Sequence, residues 1–453
     1  MSMKTQKKTI DMITDSPGRA LLFFSLPLIL GNLFQQFYNI IDSVVVGRFV
    51  GEEALASVGA SYSITNVFIA IAVGGGIGSA VVVSQFLGAK QTGNMKTAIS
   101  TTLINFLLIS VILGGLGLLF NHRILSFMNT PENVFYDASV YLGIYFIGLP
   151  FLFMYNVQAS VFQALGDSKT PLYLLVFSSL LNVVLDLLFV TQFFMGVAGV
   201  AIATLIAQGL SAVMSFLILM KRLKGYETKE PFRLYDWGMM LHMMRVAIPS
   251  TLQQSIVHIG MLLVQSVVNV FGSAVMAGFA AGTRIESICI VPMLALGTAM
   301  STYTAQNIGA GRTDRVKKGY RCCYVMVGVF AVIICVIMET WGDWFIRSFL
   351  NEGSAETAFQ TGMDYVRFIS FFYVCIGLKA TTDGLLRGAG DVVVFTAANL
   401  VNLAIRVSVA AVLAPIIGVQ AVWFAVPMGW TANYIISFLR YLSGRWERIR
   451  LIS

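Results

Sequence analysis

The chain has 453 residues, of which 57% are hydrophobic and only 11% are charged, and its mean hydropathy is +0.79. Soluble domains carry about 25% charged residues. A chain this nonpolar has too few polar side chains to cover a water-facing globule of 49.5 kDa, which indicates an integral membrane protein. We therefore attribute the formal net charge of +8 to basic loops on the cytoplasmic side of a membrane and not to nucleic-acid binding.

The five cysteines do not indicate a disulfide scaffold or a zinc module. They are odd in number, lie in nonpolar runs and lack the Cys-x-x-Cys or Cys/His spacing of metal sites. We therefore expect neither an organic cofactor nor a structural or catalytic metal. The sequence also has no Walker motif, so direct use of ATP by this chain is not expected.

Uncharged runs mark the membrane-spanning helices. Ala54–Ala89, Ala138–Gly166 and Leu187–Met220 contain 36, 29 and 34 residues, whereas one crossing of the hydrocarbon layer needs ~20. Dividing the runs at their turns predicts an all-α integral membrane protein with twelve transmembrane helices. Their predicted limits are 19–48, 53–88, 95–120, 136–166, 169–190, 196–221, 239–270, 274–309, 314–340, 359–388, 391–413 and 418–441.

The positions of the basic residues orient these helices. Of the 30 Lys and Arg residues, 23 fall in one set of ends and loops, and three, Arg48, Arg123 and Arg347, fall in the opposite set. Because cytoplasmic loops carry the excess of positive charge, both termini are predicted to be cytoplasmic. The charged start is followed by a full-length span without a visible cleavage signal, so we expect a multi-pass protein of the cytoplasmic (inner) membrane.

The two halves of the chain repeat each other. Pro27 has a counterpart in Pro249, and Gly166-Asp167 recurs as Gly390-Asp391, with offsets that stay within 220–224 residues. Two six-helix halves that begin on the same side predict two pseudo-symmetric bundles related by an axis along the membrane normal, a repeat type of secondary transporters. The predicted domains are an N-terminal lobe 1–224, a cytoplasmic linker 225–238 and a C-terminal lobe 239–453.

Five longer motifs occur in the first half. They are Leu26-Pro27 with Tyr38-Asn39-Ile40-Ile41-Asp42-x4-Gly47, Gln85-x-x-Gly88-Ala89, Phe162-Gln163-Ala164-Leu165-Gly166-Asp167, Leu181-Asn182-x3-Asp186 and Gly199-x-Ala201-x-Ala203-Thr204. Together they resemble the multidrug and toxic compound extrusion (MATE) transporters over essentially the whole chain, with a leaning towards the DinF-like branch. The resemblance implies a MATE-like fold and a monomeric antiporter. Such a protein exports organic cations or amphiphilic drugs and toxins by alternating access, in exchange for H⁺ or Na⁺.

Two carboxylates inside predicted spans point the same way on physical grounds, because such residues are costly in a membrane and usually functional. Asp42 lies six residues before Arg48, the predicted outer end of span one, and therefore ~9 Å below the outer interface. Asp186 in span five and Thr204 in span six are predicted at nearly the same depth. The three side chains are therefore expected to share one cavity in the outer half of the N-terminal lobe.

Further polar residues accompany the two carboxylates. Tyr38 and Asn182 each lie one helical turn below a carboxylate, and Asn156 in span four lies deeper. The resemblance implies that the cation-coupling network consists of Tyr38, Asp42, Asn156, Asn182, Asp186 and Thr204. A buried carboxyl pair binds a proton, and the oxygens of Asp42, Asp186, Asn182 and Thr204 also suit Na⁺. The sequence leaves both coupling ions open.

Charges in the second half form a candidate second-lobe polar site. Its members are His258, Arg284, Lys379, Asp383 and Arg406. Lys379 and Asp383 are four residues apart, so a local ion pair is available. Arg406 occupies the place that the repeat gives to Asp186, which replaces an acid by a base. Both structural pairing and a role in substrate or proton handling stay open for these charges.

Two other functions are compatible with a polytopic membrane protein. A flippase for lipid-linked precursors or glycans of the same superfamily would need a strongly basic central cavity, and only Arg284, Lys379 and Arg406 offer charge for one. A membrane enzyme would need clustered His, Asp or nucleophile motifs, whereas the three His residues are scattered. The sequence favours a transporter of small molecules and predicts that the protein is not an enzyme.

Overall fold

The structure is a computed structural model that describes residues 11–227, 231–350, 355–449 and 451–452. Within these ranges all regular secondary structure is helical. A π-helical turn, Val46–Val50, continues the first helix, and short 3₁₀ helices lie at Asn269–Phe271 and Arg445–Arg448. The α-helices are α1 Pro17–Val45, α2 Glu52–Gly88, α3 Thr92–Phe127, α4 Glu132–Ala164, α5 Lys169–Thr191, α6 Gly196–Lys224, α7 Trp237–Val268, α8 Ser273–Cys289, α9 Val291–Gly309, α10 Thr313–Phe349, α11 Glu356–Ser370, α12 Tyr373–Ala389, α13 Val392–Ile417 and α14 Gln420–Leu442.

The helices confirm the predicted all-α membrane class. In the described ranges, 11 helical segments are long and nonpolar enough to cross a membrane, and the number rises to 12 if the bent pair α11 and α12 forms one span. These two helices, which replace the span predicted at 359–388, meet at 54°. The span predicted at 274–309 likewise consists of α8 and α9. Pro292 lies in the first turn of α9, where a residue without a backbone N–H is tolerated.

The helices pack into two compact units. Unit 1 contains Met1–Ile29 and Leu252–Ser453, and unit 2 contains Leu30–Thr251. Helices α1 and α7 therefore each contribute to both units, and each changes unit two residues after a proline, Pro27 in α1 and Pro249 in α7. The predicted lobes 1–224 and 239–453 follow the duplication of the sequence, whereas the contacts divide the chain inside these two helices.

Hydrogen bonds hold the segment before each of these helices. In unit 1, Asn307 Nδ2 donates to the carbonyl oxygen of Met12 at 3.0 Å, and the Arg315 guanidinium also donates to this oxygen at 3.4 Å. In unit 2, the backbone N–H of Asp236 donates to Thr101 Oγ1 at 3.1 Å. The start of α1 is thus bound to unit 1 and the start of α7 to unit 2.

Asp236 also caps α7. Its carboxylate accepts a hydrogen bond of 2.8 Å from the backbone N–H of Met239, and this bond holds the pKa of Asp236 below the usual range of an aspartate. A lowered pKa means that the cap stabilises the fold at neutral pH and that this contribution is lost as the pH falls through the lowered pKa.

The repeated Gly-Asp pair has the same structural role in both units. The glycines of Gly166-Asp167 and Gly390-Asp391 have φ angles of 80° and 83°, which L-residues with side chains rarely adopt, and each lies just after a helix end. The aspartates form ion pairs with Arg222 at the end of α6 and with Arg440 at the end of α14, respectively. Each pair therefore turns the chain and links the loop to the last long helix of its half.

Glycines allow α2 and the first part of α7 to touch in unit 2. A Cβ atom on Gly78 would lie 2.4 Å from the Cα of Ala247, and one on Gly74 would lie 2.5 Å from the Cα of Thr251. These contacts are to backbone atoms, which cannot move aside like a flexible side chain. The glycine-rich run of α2, Gly74-Gly75-Gly76-Ile77-Gly78, is thus a helix-packing surface.

We expect Gly78→Ala to lower the melting temperature of the detergent-purified protein, because overpacking of this kind costs about 1–3 kcal/mol. Gly59→Ala is the matched control on the same helix, since a Cβ there would meet nothing within 4 Å. Alanine is intrinsically more favourable than glycine in a helix, so the control should melt at or above the wild-type temperature. Equal melting temperatures for the two variants would contradict the close contact.

Candidate functional site

Five of the six predicted coupling residues meet in unit 2. Tyr38 and Asp42 come from α1, Asn182 and Asp186 from α5, and Thr204 from α6. The Tyr38 hydroxyl is hydrogen-bonded to the Asn182 amide, 144 residues away in sequence. The carboxyl groups of Asp42 and Asp186 lie close enough to interact with each other directly. Asp186 and Asn182 are buried, so these polar groups interact away from bulk solvent.

The amide of Asn182 joins the three helices when its nitrogen faces the carboxylate side. In this orientation Nδ2 donates to Asp186 Oδ2 at 3.2 Å and to the Tyr38 hydroxyl, and Oδ1 accepts from the backbone N–H of Thr204 at 3.1 Å. The opposite orientation would turn the amide oxygen towards acceptors. One oxygen of each carboxyl group, Oδ1 of Asp42 and Oδ1 of Asp186, is buried without a hydrogen-bond partner among the described residues. The cluster therefore contains acceptor atoms that a cation or a proton can use.

Asn156 is not connected to this cluster. Its Nδ2 donates to the carbonyl oxygen of Leu152 at 2.8 Å, one turn earlier on the same helix. No hydrogen bond in the described ranges links it to the other five residues. Its predicted role in coupling stays a prediction, and its observed contact is a local one within α4.

Sequence reasoning missed Tyr141 of α4. This tyrosine is partly buried next to the cluster and lies close enough to Asp42 and Asp186 to interact electrostatically with both. It also lines a small open pocket, together with Thr204 and Gln208 of α6. The repeat offered a signal for it, because an offset of 224, the same as between Gly166 and Gly390, leads from Tyr141 to Tyr365.

Lys379 and Asp383 form a closed polar network in unit 1. Their side chains pair at 3.2 Å and are almost completely buried. Asn399 of α13 bonds both members, accepting from Lys379 at 3.1 Å and donating to Asp383 at 3.2 Å, and Ser437 of α14 donates to Asp383 at 2.8 Å. Structural pairing, one of the two roles left open by the sequence, is thus the observed state of these two residues.

The remaining second-half candidates lie elsewhere. Arg406 is seven residues beyond Asn399 on α13, which is ~10 Å along the helix, and it interacts electrostatically with Glu286 and Tyr365. His258 and Arg284 have exposed side chains, and in the described ranges no hydrogen bond joins them to the other three. The five residues named for a second-lobe site therefore occupy several separate places.

The structure also bears on metal binding. Within the described ranges, no group of three or more His, Cys, Asp or Glu side chains is arranged to hold a metal ion. The cluster in unit 2 offers two carboxylates with amide and hydroxyl oxygens instead, which is a hard-oxygen donor set of the kind that alkali cations use.

A comparison with family models decides the identity of the chain. The model described as MatE matches residues 27–188 and 249–412, one segment in each half. The chain belongs to the MatE family. Both matched segments begin at the paired prolines, Pro27 and Pro249, in agreement with the duplication.

Individual relatives extend this match over the full length. The chain is 32% identical over 448 residues to "Probable multidrug resistance protein YpnP" of Bacillus subtilis, covering 98% of this chain and 99% of that protein. It is 28% identical to "Probable multidrug resistance protein YoeA" of the same species, covering 96% and 95%. Among solved structures, an "outward-facing conformation of a multidrug resistance MATE family transporter of the MOP superfamily" superposes with a TM-score of 0.90 at 22% identity, covering 98% of this chain and 100% of that one.

These findings confirm three predictions. The chain is a MatE protein, its fold is that of MATE transporters, and it is a multi-pass membrane transporter and not an enzyme. The leaning towards the DinF-like branch stays a prediction, as do the roles of the individual site residues.

The Lys379–Asp383 network in this MatE protein yields a stability prediction. Asp383→Asn is expected to destabilise unit 1 by about 3–5 kcal/mol, because it leaves a buried ammonium group without its counter-ion. The melting temperature in detergent measures the effect. The double variant Lys379→Met with Asp383→Leu should recover much of the loss, since a nonpolar pair leaves no charge uncompensated.

Asp343→Asn is the matched control. Asp343 pairs with Arg367 at 3.4 Å, but the two side chains are 62% and 52% exposed, and such surface pairs contribute only about 0–1 kcal/mol. If Asp383→Asn proved as mild as Asp343→Asn, the Lys379–Asp383 network would not be a stabilising element of unit 1.

Proposed function

We propose that this protein is a cation-coupled antiporter that exports organic cations or amphiphilic drugs by alternating access. The observation that carries the proposal is the close approach of the Asp42 and Asp186 carboxyl groups within unit 2. Its relatives YpnP and YoeA are named as probable multidrug resistance proteins, which favours drug export over the flippase alternative. On the basis of its basic loops, we place the protein in the cytoplasmic membrane with both termini inside. The resemblance to MATE transporters supports a monomer.

The carboxyl pair has the chemistry that coupling needs. Two carboxylates in contact repel each other when both are ionised, and a proton or a cation held between them removes the repulsion. The low dielectric of the surroundings strengthens this effect. A site that gains so much from one positive charge takes up H⁺ or Na⁺ on one side of the membrane and releases it on the other as its exposure alternates.

The orientation of Asn182 favours H⁺ as the coupling ion. In the orientation that satisfies all its partners, the amide nitrogen faces Asp186, so this side of the cluster offers a donor to a carboxylate. Sodium binding by Asp42, Asp186, Asn182 and Thr204 would require the amide to turn its oxygen towards the carboxylates. We therefore propose proton coupling first and Na⁺ coupling as the second candidate.

Helix α1 provides a route from ion binding to conformational change. Tyr38 and Asp42 lie on the part of α1 that belongs to unit 2, whereas the part before residue 30 belongs to unit 1. Pro27 removes a backbone hydrogen bond close to the point of change and permits a bend there. A change in the shape of α1 on ion binding would therefore act on both units. The outward-facing conformation described for a solved relative supports alternating access.

We expect Asp42→Asn and Asp186→Asn each to reduce gradient-driven transport of ethidium in proteoliposomes at least about tenfold, because an amide cannot exchange the coupling proton. Both substitutions keep the shape of the side chain. Asp343→Asn, which changes an exposed aspartate, should transport at the wild-type rate. Undiminished transport by both site variants would refute the assignment of the coupling site.

The choice of ion is tested with the same proteoliposomes. A pH gradient and a Na⁺ gradient are imposed separately, each with the membrane potential clamped. We expect the pH gradient to drive transport and the Na⁺ gradient alone to give less than about a tenth of that rate. Transport that is driven by Na⁺ alone and is lost in Asp42→Asn would identify Na⁺, and not H⁺, as the coupling ion.

A further inference from the structure

In unit 1, the position that corresponds by duplication to the acidic Asp186 carries a basic side chain. An offset of 220 residues leads from Asn182 to Asn402 and from Asp186 to Arg406, both on α13. The offset of 224 that relates the Gly-Asp motifs leads from Tyr141 of α4 to Tyr365 of α11, so Tyr365 is the counterpart of Tyr141 in unit 1. A tyrosine and an asparagine are thus retained, while the central acid is replaced by a base.

Arg406 lies deep in a membrane-spanning helix without an ion pair. It is 14 residues from the start of α13 at Val392 and 11 from its end at Ile417, so ~21 Å and ~17 Å from the two ends. Its Nε is buried, and no described residue accepts a hydrogen bond from its guanidinium. A charge at this depth without a direct ion pair is costly and is a mark of function in membrane proteins.

Glu286 does not neutralise Arg406 by direct contact. The Glu286 carboxylate accepts a hydrogen bond from the Tyr365 hydroxyl at 2.5 Å, and among the described residues no salt bridge within 4.0 Å joins it to Arg406. By comparison, Lys379 and Asp383 in the same unit form a direct ion pair at 3.2 Å. The contrast indicates that the Arg406 group is open to a further anionic partner.

Two other polar atoms near Arg406 or Tyr365 are buried without a hydrogen-bond partner among the described residues. Asn402 Oδ1 is unpartnered, and both this atom and the Cγ of Arg406 would contact a Cβ on Gly429, so the two side chains are adjacent. The indole Nε1 of Trp423 is also unpartnered, and its ring centroid lies 6.4 Å from that of Tyr365. Trp423 and Asn402 are each more than nine-tenths buried.

We propose that Arg406, with Trp423 and Asn402, forms a carboxylate-accepting subsite in unit 1. A guanidinium presents two parallel N–H groups that match a carboxylate, and the indole N–H supplies a further donor. The amide oxygen of Asn402 accepts from a ligand that carries a neighbouring hydroxyl or N–H. The subsite would admit amphiphilic acids and zwitterions, and so widens the substrate class beyond the cations of the proposed antiport. It does not depend on which ion drives transport.

The test measures binding without any gradient. Three probes share a dansyl group and differ only at the other end, namely dansylglycine (carboxylate), dansylglycinamide (neutral) and dansyl-ethylenediamine (cation). Detergent-purified full-length protein is titrated with each probe at low ionic strength, and the dansyl fluorescence reports binding. We expect the wild type to bind the carboxylate at least about threefold more tightly than the amide.

Arg406→Gln should weaken binding of the carboxylate about tenfold and leave the amide and the cation within twofold. Arg406→Lys should retain part of the preference, because it keeps the charge but loses the paired N–H groups. Trp423→Phe keeps an aromatic ring and should reduce only the preference for the carboxylate. Arg321→Gln is the control for net charge, since Arg321 is an exposed residue of the same unit.

Two results would overturn the subsite. One is a wild type that binds the carboxylate no better than the amide. The other is a set of Arg406 variants in which all three probes weaken equally while the melting temperature is unchanged. If Arg406→Gln does not fold, the carboxylate-to-amide ratio of Arg406→Lys and Trp423→Phe decides. Asp186→Asn should leave this ratio unchanged even where it abolishes transport, so a failure of the coupling proposal and a failure of the subsite are distinguishable.

Discussion

A charged or strongly polar side chain inside a membrane-spanning helix is stabilised by polar partners, and the polar clusters around Asp186 and Asp383 both follow from this constraint. Asp186 is buried on α5 and is adjacent to Asp42 of α1, while Asn182, one turn away, bonds Tyr38 of α1 and Thr204 of α6. Asp383 is buried on α12 and is satisfied by Lys379, Asn399 and Ser437. Among the described residues, no basic side chain pairs with the first cluster, whereas Lys379 pairs with Asp383 in the second. In our proposal, this difference separates a site that binds the coupling ion from a site that holds helices together.

The duplicated halves share a backbone frame but not its chemistry. Left-handed glycines follow the corresponding helices, and an aspartate–arginine pair closes the corresponding loop in each half. At the position of Asp186, however, the second half has Arg406. Backbone geometry is preserved because it determines how the helices pack, whereas a side chain that faces a polar group can change sign without disturbing that packing. Duplication has thus placed acidic and basic groups in equivalent frames within one transporter.

Helices α1 and α7 carry the connection between the two units within their own length. Each is bound at its start by hydrogen bonds in one unit and continues in the other after a proline. Two residues of the proposed coupling cluster, Tyr38 and Asp42, are on the second part of α1, whereas α7 has no carboxylate in its corresponding part. The two crossings are therefore alike in topology and unlike in chemistry, which makes α1 the helix through which the proposed coupling acts.

The sequence by itself determined the class of the protein, because the length of nonpolar runs reflects the thickness of a membrane and because duplication is visible as a constant offset. It also identified Tyr38, Asp42, Asn182, Asp186 and Thr204, since polar residues at one depth on neighbouring spans are few and costly. Only the tertiary structure decided which polar groups meet. The Asn156 amide bonds within its own helix and Tyr141 lies beside the cluster, whereas Lys379 bonds Asn399 of α13 and Asp383 bonds Ser437 of α14. The division of α1 and α7 between the units was likewise decided there. Such contacts depend on the rotation and closeness of packed helices, and a linear pattern of residues carries neither.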